Sequence, residues 1–307
     1  MNKFLVNTLP KYSRAIYTRR NEMEYLDLIR RILDRGEKTK GRNGNTVRLF
    51  GEKMEFSLRN NHVPVLTTKK FAWKTCLKEL LWFINGDTNN KTLAKQNVGI
   101  WNKNASQDFK KTIGVNYENP DDLGPIYGHQ WRHFNAEYKG CDANYKEEGV
   151  DQLQNIIDLI CDPKTRSSRR LIMSAWNPCQ LDQMVLPPCH ILSHFSVNTN
   201  NELSVAIYQR SGDVGLGIPF NIASYSFLVC LLAKHCNLTP NKLVHFIGDA
   251  HIYTPHIEPL RRQLKLVPLP PPVFRINKKN NINDYKLNDF SLDDYNYYSK
   301  IEMDMIA

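Results

Sequence analysis

Apolar positions recur at helical spacing in four stretches. EMEYLDLIRRILDR (22–35) reads as an amphipathic helix. AWKTCLKELLWFING (72–86) reads as a second and ends on Gly86, a natural C-cap. VDQLQNIIDLI (150–160) is a third. PFNIASYSFLVCLLAKH (219–235) is apolar all round, so it predicts a buried helix with Pro219 in its first turn, where a missing N–H costs nothing. Elsewhere the pattern is that of strands: TVRLFGEKMEFSLR (46–59) alternates, and RRLIMSAW, HILSHFSV and ELSVAIYQR are short apolar-rich runs. KLVHFIGDAHIY predicts a strand followed by a loop. Helices and strands intermix without a strict βαβ rhythm. This favours an α/β (α+β layered) single domain on a large mixed β-sheet flanked by helices. From about residue 276 the chain turns polar, and the closing IEMDMIA is apolar again, which predicts that the C-terminus docks on the body of the protein.

Composition narrows the function classes. Lys and Arg exceed Asp and Glu by 41 − 31 = 10 in 307 residues, a balance suited to anionic ligands such as a phosphate ester or nucleic acid. Residues 1–21 contain no acid and read as a basic N-terminal tail rather than a transit peptide. No uninterrupted run of about 18 apolar residues predicts a membrane span. The seven cysteines are scattered, with no Cys-x-x-Cys, so neither a disulfide framework nor a metal site is expected, and the chain reads as intracellular and cytoplasmic. No G-x-G-x-x-G or P-loop fingerprint occurs; GDVGLG (212–217) is a weak echo followed by Pro219.

Two stretches carry candidate chemistry. In LPPCHILSHF (186–195) two prolines lead into Cys189. On a regular strand the side chains of His190 and His194 both face away from Cys189, so the thiol has no local base and its activation comes from elsewhere. In YQRSGDVGLGIPFN (208–221), Arg210, Ser211 and free backbone donors suit a phosphate monoester. The Asn221 amide offers a donor beside an acceptor, matching the N3–H and O4 edge of uracil. The other candidates are open from spacing alone. Arg169-Arg170 reads as a solvated surface pair, and Arg42 in GRNGNT carries no signal by itself. Glu79 sits either at a helix edge in water or buried with a raised pKa. His251 and Tyr253 share a face if extended, which ordinary strand residues also do.

LPPCH, YQRSGDVGLGIPFN, GDAHIY, LKELLWFI, GPIYGHQWRHF and RRLIMSAWNP, within a stretch from about Glu22 to Ala307, together resemble the thymidylate synthase family. The resemblance implies that residues 22–307 form the catalytic domain. It implies reductive methylation of dUMP to dTMP, with 5,10-methylenetetrahydrofolate supplying carbon and hydride and leaving dihydrofolate. By similarity Cys189 is the nucleophile adding to C6 of the pyrimidine, which makes C5 enolate-like. Asn221 holds the enolate edge, Glu79 relays protons at O4, and Tyr127 orders the water that takes the C5 proton. The nearby charge of Arg210 is expected to stabilise the thiolate. Arg42, Gln209, Arg210, Ser211 and Asp213 fall on the substrate side, with His251 and Tyr253 at the ribose. Trp101, Asp213, Gly217, Phe220 and the C-terminal Ala307 fall on the folate side. The resemblance also implies a homodimer with sheets packed back to back, Arg169 and Arg170 serving the site of the second subunit.

Four positions depart from the family pattern: His194 where glutamine is usual, a shortened Arg42 loop, Asn102 after Trp101 where aspartate is usual, and Glu302 where lysine is common. They bear on folate-edge contacts, polyglutamate binding and loop closure, and His194 is expected on the dimer-facing side of the sheet. Three rivals remain. A pyrimidine hydroxymethylase on the same fold is disfavoured by Asn221. A nucleic-acid binder should interleave basic residues with exposed aromatics, which these separated doublets do not, leaving RNA binding as a side activity at most. A cysteine hydrolase needs a base beside the thiol.

Overall fold

The computed structural model describes the backbone of residues 11–41 and 43–306, with side chains from residue 21 onward. Arg42 and Ala307 therefore lie outside the described residues. Helix α1 (Lys11–Arg35) begins eleven residues before the predicted start, in a stretch free of Gly and Pro. Strands β1 (Glu37–Gly41) and β2 (Gly44–Ser57) form a hairpin, followed by α2 (Trp73–Ile84), α3 (Asn90–Ala94), α4 (Asn102–Ala105), α5 (Gln107–Ile113), α6 (Tyr127–Arg132) and α7 (Gln152–Cys161). Then come β3 (Ile172–Ser174), β4 (His190–Val197), β5 (Glu202–Asp213), α8 (Gly217–His235), β6 (Thr239–Tyr253), α9 (Ile257–Gln263), β7 (Val273–Ile276) and β8 (Phe290–Asp293). Gly86, with φ 72°, lies just beyond the end of α2, in the left-handed conformation that a glycine reaches without a Cβ penalty.

The main sheet has the order β1-β2-β6-β5-β4-β3. β5 and β6 run parallel and the other neighbours antiparallel, so the sheet is mixed, as predicted. Two expectations need correction. GDAHIY is not a loop but the end of a single strand that reaches Tyr253, because β2 pairs with it out to Thr46. RRLIMSAW is strand only over Ile172–Ser174. This edge strand has a ladder partner on one side, and neighbours take its outlying N–H groups: Arg170 donates to Ser168 Oγ (3.1 Å) and Ser174 to Gln152 Oε1 (2.9 Å).

Helix α8 has the length and apolar composition of a membrane span, yet lies inside the protein against β5 and β6. Its buried positions run through Ile222, Phe227, Leu228, Leu231 and Leu232, and Phe195, Val205, Ile207, Leu243 and Ile247 bury on the facing side of the sheet. On the opposite face Leu192, Tyr208 and Phe246 lie side by side in register and stay 37%, 39% and 41% exposed. His194 opens onto that same outer face, across from Ile172 and Ala206.

A buried carboxylate ties α1 to the loop entering α2. Glu22 Oε2 accepts from Thr67 N–H (2.9 Å) and Oγ1 (2.5 Å), and Oε1 accepts from Thr68 N–H (2.9 Å) and Oγ1 (2.5 Å). Gln263 Nε2 then donates to Thr68 Oγ1 (2.8 Å), and the N–H of Leu269 donates to Thr67 Oγ1 (2.9 Å), so one side chain orders three segments. Four donors face one carboxylate, and a neutral amide offers them an N–H₂ in place of an acceptor. Glu22→Gln should therefore destabilise the fold by about 2–3 kcal/mol, read as a lower urea midpoint with unchanged slope; an unshifted midpoint would show that the four bonds are replaceable by water.

Candidate active site

The approach to Cys189 is fixed by Arg210. Proline carbonyls carry no competing N–H, and Arg210 uses them: Nε donates to Pro188 O (2.8 Å) and Nη2 to Pro187 O (2.8 Å). The same Nη2 stands 3.9 Å from Cys189 Sγ. The N–H of Arg210 donates to Cys189 O (2.8 Å), while the N–H of Cys189 donates to Tyr127 Oη (2.7 Å). The guanidinium lies 5.7 Å from the centre of the Trp176 ring. Gly248 lets β6 pass this corner, since a Cβ there would sit 2.7 Å from Arg210 O. Burial pushes the Cys189 thiol up, while the Arg210 charge and the Tyr127 hydroxyl pull it down; burial wins, so the thiol of the free chain stays above its ordinary range. The expected arginine is in place and acts in the expected direction, but alone it does not make the thiolate.

His190 and His194, which an unbroken strand would place on one face, fall on opposite faces. A bulge between His190 and Leu192 inserts one extra residue and turns His190 to the helix side. There its ring stacks on Tyr127 at 4.1 Å, and Nδ1 lies 2.8 Å from Tyr225 Oη. Burial, helped by neighbouring His245, lowers its pKa to about 3, so this imidazole is neutral and its Nδ1 is already engaged. The His190 ring thus offers the thiol no free base through Nδ1.

Glu79 and Tyr127, expected to handle protons, form a second layer. Trp101 Nε1 donates to Glu79 Oε1 (2.8 Å) across the α2–α4 junction. Burial raises the Glu79 pKa to about 7 against the pull of that bond, which selects the buried alternative for this carboxyl. Tyr127 is buried at the start of α6, between Phe83, Trp101 and His190, and burial pushes its hydroxyl well above its ordinary range.

The β5 end and the first turn of α8 supply the polar wall. Gln209 Nε2 donates to Asn221 Oδ1 (3.0 Å) and to Ser211 O (2.9 Å), and Gln209 Oε1 lies 2.9 Å from His245 Nε2. This fixes which end of the Asn221 amide is oxygen and leaves Nδ2 to donate. Ser211 lies on the strand rather than in a loop, because β5 stays paired to β6 through Asp213. The same pairing sets Asp213 beside His251, and Tyr253 follows two residues on, its ring 5.2 Å from that of His251. His251 Nδ1 sits 2.9 Å from Asp249 Oδ1, and Arg48 Nη1 donates to Asp249 Oδ2 (2.9 Å). Gly217 opens α8, where a Cβ would approach Asp213 and Asn221. Phe220 packs edge-on against Phe71, ring centres 4.9 Å apart.

Sequence reasoning missed two side chains. Lys69 is buried and donates to Gly215 O (2.8 Å); burial lowers its pKa to about 8 despite Asp213 and Glu22 nearby. His256 is buried, with Nε2 2.8 Å from Asp304 O and Nδ1 3.6 Å from Asp213 Oδ1. Burial opposes its charge, but Asp213 and the Asp304 carbonyl together carry its pKa above the ordinary value. No spacing signal marks either residue; only the docked C-terminal segment, which the apolar IEMDMIA predicted, reveals His256. Asn102, one of the four departures, accepts from Asn90 Nδ2 (3.1 Å), and Glu302 pairs with Lys300 at the surface.

Arg169 and Arg170 do not join this site. Ile172 faces His194 on an antiparallel strand, so Arg170 lies across from about residue 196. That is seven residues along β4 from Cys189, roughly 20 Å, and both arginines are exposed. Among the described residues no three His, Cys, Asp or Glu side chains are grouped to hold a metal ion.

The family model described as thymidylate synthase matches residues 23–307. The chain is 49% identical over 287 residues to thymidylate synthase of Homo sapiens, covering 92% of this chain and 90% of that protein. It is 46% identical to a putative bifunctional dihydrofolate reductase-thymidylate synthase of Oryza sativa subsp. japonica, covering 99% of this chain and 61% of the relative. A bifunctional dihydrofolate reductase-thymidylate synthase of Paramecium tetraurelia is also 46% identical, with 98% and 64% covered. The chain thus spans less than two thirds of the length of these two bifunctional relatives. With the thiol, arginine, amide and carboxyl of the six motifs gathered at one end of the sheet, and a family match covering all but the first residues, the chain belongs to the thymidylate synthase family.

Proposed function

We propose that the protein methylates dUMP to dTMP, using 5,10-methylenetetrahydrofolate as donor of both carbon and hydride and releasing dihydrofolate. The observation that carries this reading is the thiol of Cys189, held by Arg210 and Tyr127, in a site that also holds the fixed amide of Asn221. Addition of the sulfur to C6 of the pyrimidine turns C5 into a carbon nucleophile able to take the one-carbon unit, and elimination of the sulfur restores the ring. Asn221 Nδ2, free of Gln209, donates to O4 as negative charge develops there. Glu79, poised near neutrality, moves protons at that oxygen. This amide orientation favours uracil over cytosine, which presents a donor where O4 presents an acceptor, and so argues against the hydroxymethylase acting on a cytosine nucleotide.

The reading extends to a homodimer. The apolar row of Leu192, Tyr208 and Phe246 supports packing of two sheets back to back, and the distance of Arg169 and Arg170 from their own Cys189 supports their use by the second subunit. Their charges at the partner's site would lower a thiol pKa that Arg210 alone leaves high. The seven free thiols fit a reducing compartment such as the cytoplasm.

Cys189→Ser tests the chemistry: it should bind dUMP yet lose nearly all turnover, because a serine hydroxyl is a far weaker nucleophile at neutral pH. Dihydrofolate release is followed spectrophotometrically, and retained turnover would remove Cys189 from its role. Glu79 gives a pH signature. Its folded pKa of about 7 exceeds the ordinary carboxyl value of 4.5, so the folded state binds the proton more tightly, and stability falls as pH rises between those values. The melting temperature of Glu79→Gln minus that of wild type should therefore widen from about pH 4.5 to 7 and then level off; a difference independent of pH would place the carboxyl in water. For the dimer, an Arg170→Ala chain and a Cys189→Ser chain, each nearly inactive alone, should recover about a quarter of wild-type activity after mixing through reversible dissociation. Half the dimers are then mixed, with one intact site in two. Mixed dimers without activity would put Arg170 in its own subunit's site.

A further inference from the structure

Two thiols that the proposed chemistry does not use meet at the far end of the central helix. Cys161 is the last residue of α7 and is exposed; Cys236 directly follows α8 and is buried. Cys236 Sγ lies 3.9 Å from the carbonyl oxygen of Ile157, one turn before Cys161. Helical side chains four apart share a face and lean toward the N-terminus, so the Cys161 side chain lies over that same turn. The Cys161 thiol is among the groups that act on Cys236. Two cations flank them. Arg166 donates through Nη2 to Cys161 O (2.9 Å) and through Nη1 to Asn201 Oδ1 (2.9 Å), and its Nε is buried without a partner. Lys278 Nζ donates to Asn237 Oδ1 (2.7 Å), next to Cys236. Residue 236 lies fifteen residues along from Asn221 (236 − 221), roughly 22 Å at helical rise, so this pair is remote from the nucleophile.

We propose that Cys161 and Cys236 are a redox pair that closes into a reversible disulfide when the protein meets hydrogen peroxide, pinning the end of α7 to the end of α8. The asymmetry of the pair assigns the order of events. Burial and the Cys161 thiol keep Cys236 protonated and out of reach, so the exposed sulfur reacts first. Cys161 sulfur attacks the peroxide O–O bond, gains one oxygen as a sulfenic acid, and one water is released. Cys236 sulfur then attacks Cys161 sulfur; the S–O bond breaks, and the Cys236 proton leaves with the hydroxyl as a second water. Two thiols are oxidised by two electrons, and one peroxide is reduced to two waters. A dithiol reductant reverses the bond by exchange. Arg166 and Lys278 act on Cys236 in the direction that favours its attack, against the burial that raises it. The link closes a loop of about 75 residues, long enough to restrict the unfolded chain strongly.

The full-length protein is treated with stoichiometric hydrogen peroxide, unfolded under alkylating conditions and mapped by peptide mass without reduction. The expected product joins the peptides carrying Cys161 and Cys236, is two hydrogens lighter than their sum, and disappears on reduction. The linked protein should melt roughly 2–5 °C higher than the reduced one. Cys236→Ser should halt the reaction at a Cys161 sulfenic acid that a cyclic 1,3-dione traps, and Cys161→Ser should leave Cys236 a free thiol. Should either variant fail to fold, the wild-type map decides alone. Cys161 driven to sulfinic acid while Cys236 remains alkylatable, or a link from Cys161 to a different cysteine, overturns the proposal.

Discussion

The site depends on one guanidinium that has no carboxylate partner among the described residues. Arg210 donates through Nε and Nη2 to the carbonyls of Pro188 and Pro187, neutral acceptors that hold the side chain without cancelling its charge beside Cys189. A carboxylate in the same place would have held the chain equally well and cancelled the field. The prolines make the arrangement rigid, since each fixes its own φ and offers only an acceptor. The β4 bulge, the Tyr127 hydroxyl on the Cys189 N–H and the missing side chain of Gly248 then follow as what is needed to fit an arginine through the edge of a twisted ladder.

Around that charge, burial pushes the titratable groups toward their neutral forms. The thiol and Glu79 are raised, His190 is lowered to about 3, and Lys69 is lowered to about 8. A pocket that suppresses charge in its free state suits a reaction in which charge passes through the substrate, because each fixed dipole then acts at low dielectric. It also explains why the neutral amide of Asn221 is oriented by Gln209, itself in contact with the neutral His245, rather than by an ion pair.

Much of this was legible in the chain. Long periodic segments fixed the helices well, and α8 ran within two residues of its predicted start because an apolar run of that length can only be core or membrane. Cys189, Arg210 and Asn221 were readable because rigid prolines, a strand-end arginine and a helix-start amide each carry local meaning. What was illegible depended on register. The side on which His190 falls is decided by a single extra residue at the β4 bulge, and strand parity cannot see it. GDAHIY read as a loop through its glycine, yet eleven register pairs with β2 hold that strand straight. Arg169 and Arg170 were ambiguous from spacing because their position is meaningful only across an edge strand, and Lys69 and His256 acquire meaning only when segments distant in sequence close over them.

The single chain leaves the electrostatics unfinished, and the geometry indicates where completion comes from. Among the described residues Arg210 is the one cation seen to act on the Cys189 thiol, and burial outweighs it together with the Tyr127 hydroxyl. The exposed arginine doublet sits about 20 Å away at the edge of the sheet, beside β4, one of the strands that contribute the apolar row of the outer face. In the proposed dimer a two-fold contact through that face would cover the row and carry the doublet off its own chain in one step, since an isologous interface moves both edges together. In the proposed dimer, apolar burial therefore supplies the association, and the arginines it carries supply the charge that the nucleophile lacks. On that proposal the pKa of the thiol is a property of the assembly, and a folded but separated subunit would keep its fold, its amide and its Arg210 while its sulfur stays protonated.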